Sequence, residues 1–184
     1  MSLIVPESLI TKVRDEHKLW MGSIVSVEPL ASSRIMINNL SVSFGAVAGG
    51  MTAGAYTAYL MVFNGLLIGV VGTLVGQNNL AYPFWAFVFP HGSLELPAIF
   101  FAGGAGFLLA KAILFPGKYR RGDALKFYGS QAAQLLFGIV PMLIIADAFE
   151  GFFSPNPSVP DAIKYLAGIR LFVLLVMYCS RKET

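Results

Sequence analysis

An all-α fold, a polytopic transmembrane bundle of about five membrane-spanning helices with one re-entrant or interfacial aromatic segment, is predicted by three features of this 184-residue sequence. Hydrophobic residues make up 56% of the chain and charged residues only 12%, about half the charged share of a typical soluble protein. No Asp, Glu, Lys or Arg occurs in the 60 residues between Arg34 and Glu95, and a helix that crosses a bilayer takes roughly 20 apolar residues. The other charges sit mostly at the ends of apolar runs, where they delimit spans. A water-soluble fold is excluded.

Further classes fall away on composition. The net charge of +3 comes from basic residues scattered at the ends of apolar segments, where positive-inside topology rather than a nucleic-acid footprint puts them. One cysteine, Cys179, makes neither a disulfide framework nor a multi-cysteine metal site. The first 20 residues mix Pro6, Glu7, Asp15, Glu16 and His17 with apolar positions, unlike the basic start and continuous apolar core of a signal peptide.

Residues 1–34 read as a polar juxtamembrane segment, partly helical, with Trp20 near the interface and Arg34 at the bilayer edge. Residues 35–182 read as the transmembrane domain. Its first uncharged run, residues 35–76, holds two spans at about 1.5 Å per residue, near 36–57 and 60–78, with a turn near residues 58–63. Glycines four apart, Gly45 with Gly49, Gly50 with Gly54 and Gly65 with Gly69, suit close helix packing in lipid. The run Tyr82-Pro83-Phe84-Trp85-Ala86-Phe87-Val88-Phe89-Pro90 is too short between prolines for a span, and supplies the aromatic segment.

The third span covers about 94–115, with Ala102, Gly106 and Ala110 on one face and Lys111 snorkelling near its end. Pro116-Gly117 stops it. A basic loop follows, carrying Lys118, Arg120, Arg121 and Lys126. The fourth span, about 127–147, contains Pro141, a candidate kink. The proline-rich turn Ser154-Pro-Asn-Pro-Ser-Val-Pro160 separates it from the fifth span at 162–180, which closes on Arg181 and Lys182. By the positive-inside rule the basic loop and C-terminus are cytoplasmic, while the proline-rich turn, the aromatic segment and the N-terminus lie outside.

On this topology the unusual polar residues gather at the outer side. His91 and Glu95 stand at the entrance of span three, Asp147 and Glu150 at the end of span four, and Arg170 two turns into span five. Ionisable groups in membrane spans face the bundle interior and pair with one another, so Arg170 is expected to pair with Glu95, Asp147 or Glu150. The cluster reads either as a clasp between helices or as a docking or ion-coupled substrate site. Asn38, Asn39 and Asn64 carry the same two readings, interhelical glue or ligand. His91 and Glu95 have metal-ligand spacing, yet two ligands do not make a site. No His-Glu-x-x-His motif, nucleophile motif or phosphate-binding loop occurs. No catalytic residue, metal or cofactor is therefore expected.

Several blocks resemble the stage II sporulation protein M family: Asn38-Asn39, Asn64-Gly65 with Gly69, His91-Gly92-Ser93-Leu94-Glu95-Leu96-Pro97-Ala98-Ile99 leading into Ala102-Gly103-Gly104-Ala105-Gly106, then Pro116-Gly117, Arg121-Gly122-Asp123-Ala124-Leu125 and Glu150-Gly-Phe-Phe-Ser-Pro155. Their order covers residues 20–182, and the His-Gly-x-Leu-Glu block is the most specific. Longer members begin with a cytoplasmic helical region and one further span, so the resemblance implies a C-terminal portion or a short member. It also implies a scaffold, since the namesake holds two peptidoglycan-degrading enzymes during engulfment, and other members are encoded near a MoxR-type AAA+ ATPase. The expectation is a non-enzymatic, multi-pass protein of the cell membrane that contacts lipid and recruits peptidoglycan hydrolases or a MoxR-type system, with no nucleic-acid partner and with self-association open. The alternative is a permease subunit that uses His91, Glu95, Glu150 and Arg170.

Overall fold

The computed structural model describes the backbone of residues 5–19 and 28–181 and the side chains of residues 5–19 and 36–181. Trp20, Lys182 and the side chain of Arg34, to which the sequence reading assigns interface and topology roles, lie outside the described residues. All regular structure among the described residues is helical: α1 (Glu7–Arg14), α2 (Glu28–Ala48), α3 (Ala55–Gln77), α4 (Ala81–Leu114), α5 (Arg121–Ala148) and α6 (Asp161–Cys179). A 3₁₀ turn at Gly49–Thr52 follows α2 and a π-helical turn at Phe149–Phe153 extends α5. Among the described residues four stretches, Ala55–Gln77, Ala81–Leu114, Arg121–Phe153 and Asp161–Cys179, are long and apolar enough to cross a membrane. The fold is all-α and that of a membrane protein.

Helix ends follow the punctuation of the sequence where charges or Pro-Gly mark them. Helix α4 stops at Leu114 before Pro116-Gly117, with Gly117 at φ +63°, and α6 starts at Asp161 directly after Pro160. Two helix starts come earlier than expected, α2 at Glu28 rather than near 36 and α5 at Arg121 rather than near 127, and two further differences alter the organisation. The turn after α2 falls at residues 49–54, where Ala53 and Gly54 take φ +55° and +83°, rather than at residues 58–63. A left-handed backbone ends a right-handed helix, and glycine adopts it without a Cβ penalty.

The second difference concerns the aromatic segment, which is not a separate re-entrant piece. It forms the start of α4, a 34-residue helix about 51 Å long against a hydrocarbon core of about 30 Å. Pro83 lies in the first turn, where its missing N–H has no intrahelical partner to lose. Pro90 and Pro97 lie in the helix interior, as Pro141 does in α5. Membrane helices tolerate such prolines because neighbouring groups and Ser or Thr hydroxyls re-satisfy the backbone. In α4 the carbonyls that lose a donor are those of Ala86 and Ser93, four residues before Pro90 and Pro97; separately, the Ser93 hydroxyl donates to the Pro90 carbonyl at 3.0 Å.

The chain divides into two compact units, each described by itself. The first comprises Met1–Ile35, Leu66–Leu94 and Ile145–Thr184. Its core joins Val5, Ile10 and Val13 to Leu74 and Val75 of α3 and Phe84 and Phe87 of α4. Helix α1 therefore turns its apolar face onto the ends of α3 and α4 beside their connection, with Glu7, Thr11 and Arg14 exposed. Helix α6 packs on the start of α4: Tyr165 Oη donates to the Tyr82 carbonyl at 3.0 Å, and a Cβ on Gly168 would lie 2.7 Å from the Phe89 carbonyl oxygen. Only glycine permits that approach.

The second unit comprises Met36–Gly65 and Glu95–Ile144. Small residues dominate its core, with Ala46, Ala98, Ala102, Ala105 and Ala132 beside Val47, Ile139 and Leu143. The Ala102, Gly106, Ala110 face of α4 is buried as its spacing predicts. A Cβ on Gly106 would run into the Ala46 carbonyl and lie 2.7 Å from Thr57 Oγ1, and that hydroxyl donates to the same Ala46 carbonyl at 2.7 Å. Small residues bring backbones together in lipid, where dispersion and hydrogen bonds, rather than water exclusion, drive association. Gly65 and Gly69 have nothing within 4 Å, so this pair makes no such contact. Lys111 is exposed, with Nζ 5.0 Å from the Tyr128 ring centroid.

Candidate functional site

Residues 90–94 of α4 are buried without interruption. Five residues exceed one helical turn, so α4 is enclosed on every side at this level. His91 is 5% exposed. Because α4 begins at Ala81, His91 lies ten residues into the helix and Glu95 fourteen, about 15 and 21 Å from its start. They occupy the helix interior rather than its entrance, because the aromatic residues before them continue the same helix.

The π-helical turn brings the second component. Its bonds run from i+5 back to i, so that Ser154 N donates to the Phe149 carbonyl at 2.7 Å. Such turns recur at functional sites because the extra residue re-aims the side chains. Here Ser154, wholly buried, places its Oγ 3.3 Å from His91 Nδ1. Glu150, in the same turn, offers a carboxylate oxygen within 4.8 Å of a His91 ring nitrogen. Glu95 follows His91 by one turn on α4, a spacing that puts the two on one helix face. Asp147, 3% exposed, precedes Glu150 by three residues in α5. Glu95, Asp147 and Glu150 are each engaged by a partner.

Arg170 does not join this cluster. It is exposed on α6, and the reason is rotational: Gly168 faces Phe89 of α4, and a residue two positions on is turned by about 200°. The buried cation of α6 is Lys164, 8% exposed, four residues before Gly168 and hence on its face. Lys164 is not among the residues expected at the site, and its spacing from Gly168 is the signal for its burial in the sequence.

The asparagines divide. Asn38 is exposed and Asn39 is buried and engaged by a partner. Asn64 donates to the Leu60 carbonyl of its own helix at 2.8 Å, a local bond rather than an interhelical one. Lys118, Arg120, Arg121 and Lys126 are all exposed, with Lys118 Nζ 5.7 Å from the Tyr119 ring. Lys118 and Arg120 lie in the connection before α5, whereas Arg121 and Lys126 belong to the first turns of α5 rather than to a loop; their exposure suits a segment facing solvent or headgroups.

Chemically, the interior group offers one imidazole and two carboxylates. Such a set holds a proton, an ion pair or a divalent cation. Sulfur is absent from it, since Cys179 is exposed at the end of α6.

Comparison with known proteins places these residues in a wider set. The profile of the family described as Stage II sporulation protein M matches residues 7–155, which include His91, Glu95, Glu150 and Ser154. An uncharacterized protein of Methanocaldococcus jannaschii is 36% identical over 74 residues, 40% of this chain and 42% of that relative. The matched segment thus spans less than half the length of the curated relative. No solved structure matches.

Proposed function

The chain belongs to the stage II sporulation protein M family, and from that premise we propose that it is a non-enzymatic, multi-pass scaffold of the cell membrane that recruits envelope or peptidoglycan-remodelling enzymes. The observation that carries the reading is the second half of α6. From residue 169 to residue 181 only Leu171 and Leu175 are half-buried, and every other residue is exposed. An exposed apolar helix suits lipid, but Arg170 is the tenth of the nineteen residues of α6, about 14 Å from either end. A guanidinium at that depth is costly against hydrocarbon, and ionisable groups in spans characteristically face protein partners. A partner span carrying a carboxylate or carbonyl opposite Arg170 meets that need. The exposed basic residues 118–126 suit anionic headgroups or a cytoplasmic partner such as a MoxR-type ATPase.

The test is co-purification of the full chain from its own cells in mild detergent. An envelope enzyme held in fixed stoichiometry, with retention falling about tenfold for Arg170→Leu and recovering for Arg170→Lys, is the expected result; a tenfold loss corresponds to about 1.4 kcal/mol. A chain that purifies alone, or a partner retained equally by all three proteins, defeats the proposal.

A further inference from the structure

We infer that His91, Glu95 and Glu150 form a binding site for a divalent transition-metal ion, with Zn2+ the best-matched ion. The inference goes beyond the scaffold reading and does not depend on it.

Three observations converge. The first is the donor set. One imidazole and two carboxylates are hard-to-borderline ligands, suited to Zn2+ and to Mn2+ or Fe2+ and unsuited to soft ions that prefer sulfur. Zinc sits about 2.0–2.2 Å from His nitrogen and carboxylate oxygen, so tetrahedral donors lie about 3.4 Å apart. His91 and Glu150 already bring donor atoms within 4.8 Å. Rotation about glutamate side-chain bonds covers the remaining distance, and Glu95 reaches the same side of α4 from one turn below.

The second observation is the orientation of the histidine. Ligating imidazoles almost always hydrogen-bond through their other ring nitrogen, which sets tautomer and ring direction. Ser154 Oγ lies 3.3 Å from His91 Nδ1 and is wholly buried. With Nδ1 so held, Nε2 is the nitrogen left to ligate. The Phe87 ring meets the imidazole edge-on at 5.5 Å between centroids, a second restraint on its rotation.

The third observation is burial. His91 is 5% exposed and Glu95 and Glu150 are half-buried, so a cation drawn to them is held away from bulk water, where its attraction to carboxylate oxygens is strongest. Water completes the coordination. A metal there joins α4 to the π-helical end of α5, and so acts as a fastening between these elements.

The experiment uses the full chain in detergent, stripped with chelator, reloaded with Zn2+ or Mn2+, desalted and analysed for metal. About one Zn2+ per chain is expected, with an X-ray absorption spectrum showing N/O ligands, one imidazole and no sulfur. Glu150→Gln and His91→Asn are expected to weaken binding by tenfold or more, Ser154→Ala by about tenfold as an outer-shell change, and the exposed Asp123→Asn not at all. Neither ion remaining bound after loading overturns the inference. A sulfur ligand in the spectrum overturns it as well, as does undiminished binding by Glu150→Gln. Should a variant fail to fold, the stoichiometry and spectrum of the unaltered chain decide the matter.

Discussion

Replacing Gly106 with Ala adds a single methyl group, and the geometry makes its effect calculable. The new Cβ would collide with the Ala46 carbonyl and stand 2.7 Å from Thr57 Oγ1 and 2.9 Å from Thr57 Cγ2. Two of these atoms already share a buried hydrogen bond of 2.7 Å, so neither can retreat without loosening it. Overpacking of a tight interior costs about 1–3 kcal/mol. Loss of an interhelical hydrogen bond in a membrane protein adds about 0.6–1.7 kcal/mol. Together they give a destabilisation of about 2–4 kcal/mol, or about 30-fold or more in the unfolding constant. The internal control is Gly104→Ala, two residues earlier on α4, where the glycine is exposed and nothing lies within 4 Å. There the change is neutral or stabilising by up to about 1 kcal/mol, the helix preference of Ala over Gly. Reversible unfolding of the detergent-solubilised chain by SDS measures both variants. Equal stability of the two would refute the claim that Gly106 is the contact point of α2, α3 and α4.

Two further outcomes are expected. Ser154→Ala removes the hydroxyl beside buried His91 and costs about 1–2 kcal/mol of stability, read in the same assay, whereas Ser158→Ala in the exposed part of the proline-rich turn stays within about 0.5 kcal/mol; similar values for both would remove Ser154 from the site. Topology is read by cysteine labelling in a Cys179→Ser background, since Cys179 is exposed: an impermeant maleimide is expected to label Ser158→Cys on intact cells and Tyr119→Cys only after permeabilisation. The reverse pattern would invert the assignment of sides.

Sequence reading succeeded where the physics is local. Hydropathy and charge delimit α6 almost to the residue, and Pro116-Gly117 marks the end of α4, because breaking apolar periodicity and removing a backbone donor act at the position where they occur. It failed at Pro83 and Pro90, which read as boundaries. The environment overrode that local preference: a backbone surrounded by lipid and neighbouring helices has no better option than to continue the helix. It failed also at the turn after α2, where the glycines at 50 and 54 resemble a packing pair; Gly54 instead takes positive φ in the turn, and Gly50 is pressed against the backbone of Gly106.

The interior site shows the same division. His91 and Glu95 were legible together because four residues on a helix always share a face. Arg170 is expected with them but is exposed, because the rotation of α6 depends on which residue lets it approach α4, and that residue is Gly168. Glu150 and Ser154 reach His91 through a π-helical turn that no local pattern announces. By itself, then, the amino-acid order determined that this is an all-α membrane protein, where most of its spans end and which residues are chemically unusual. Tertiary structure alone decided which of those residues meet, since that depends on helix rotation and on one extra residue in a turn, both set by contacts between segments far apart in the chain.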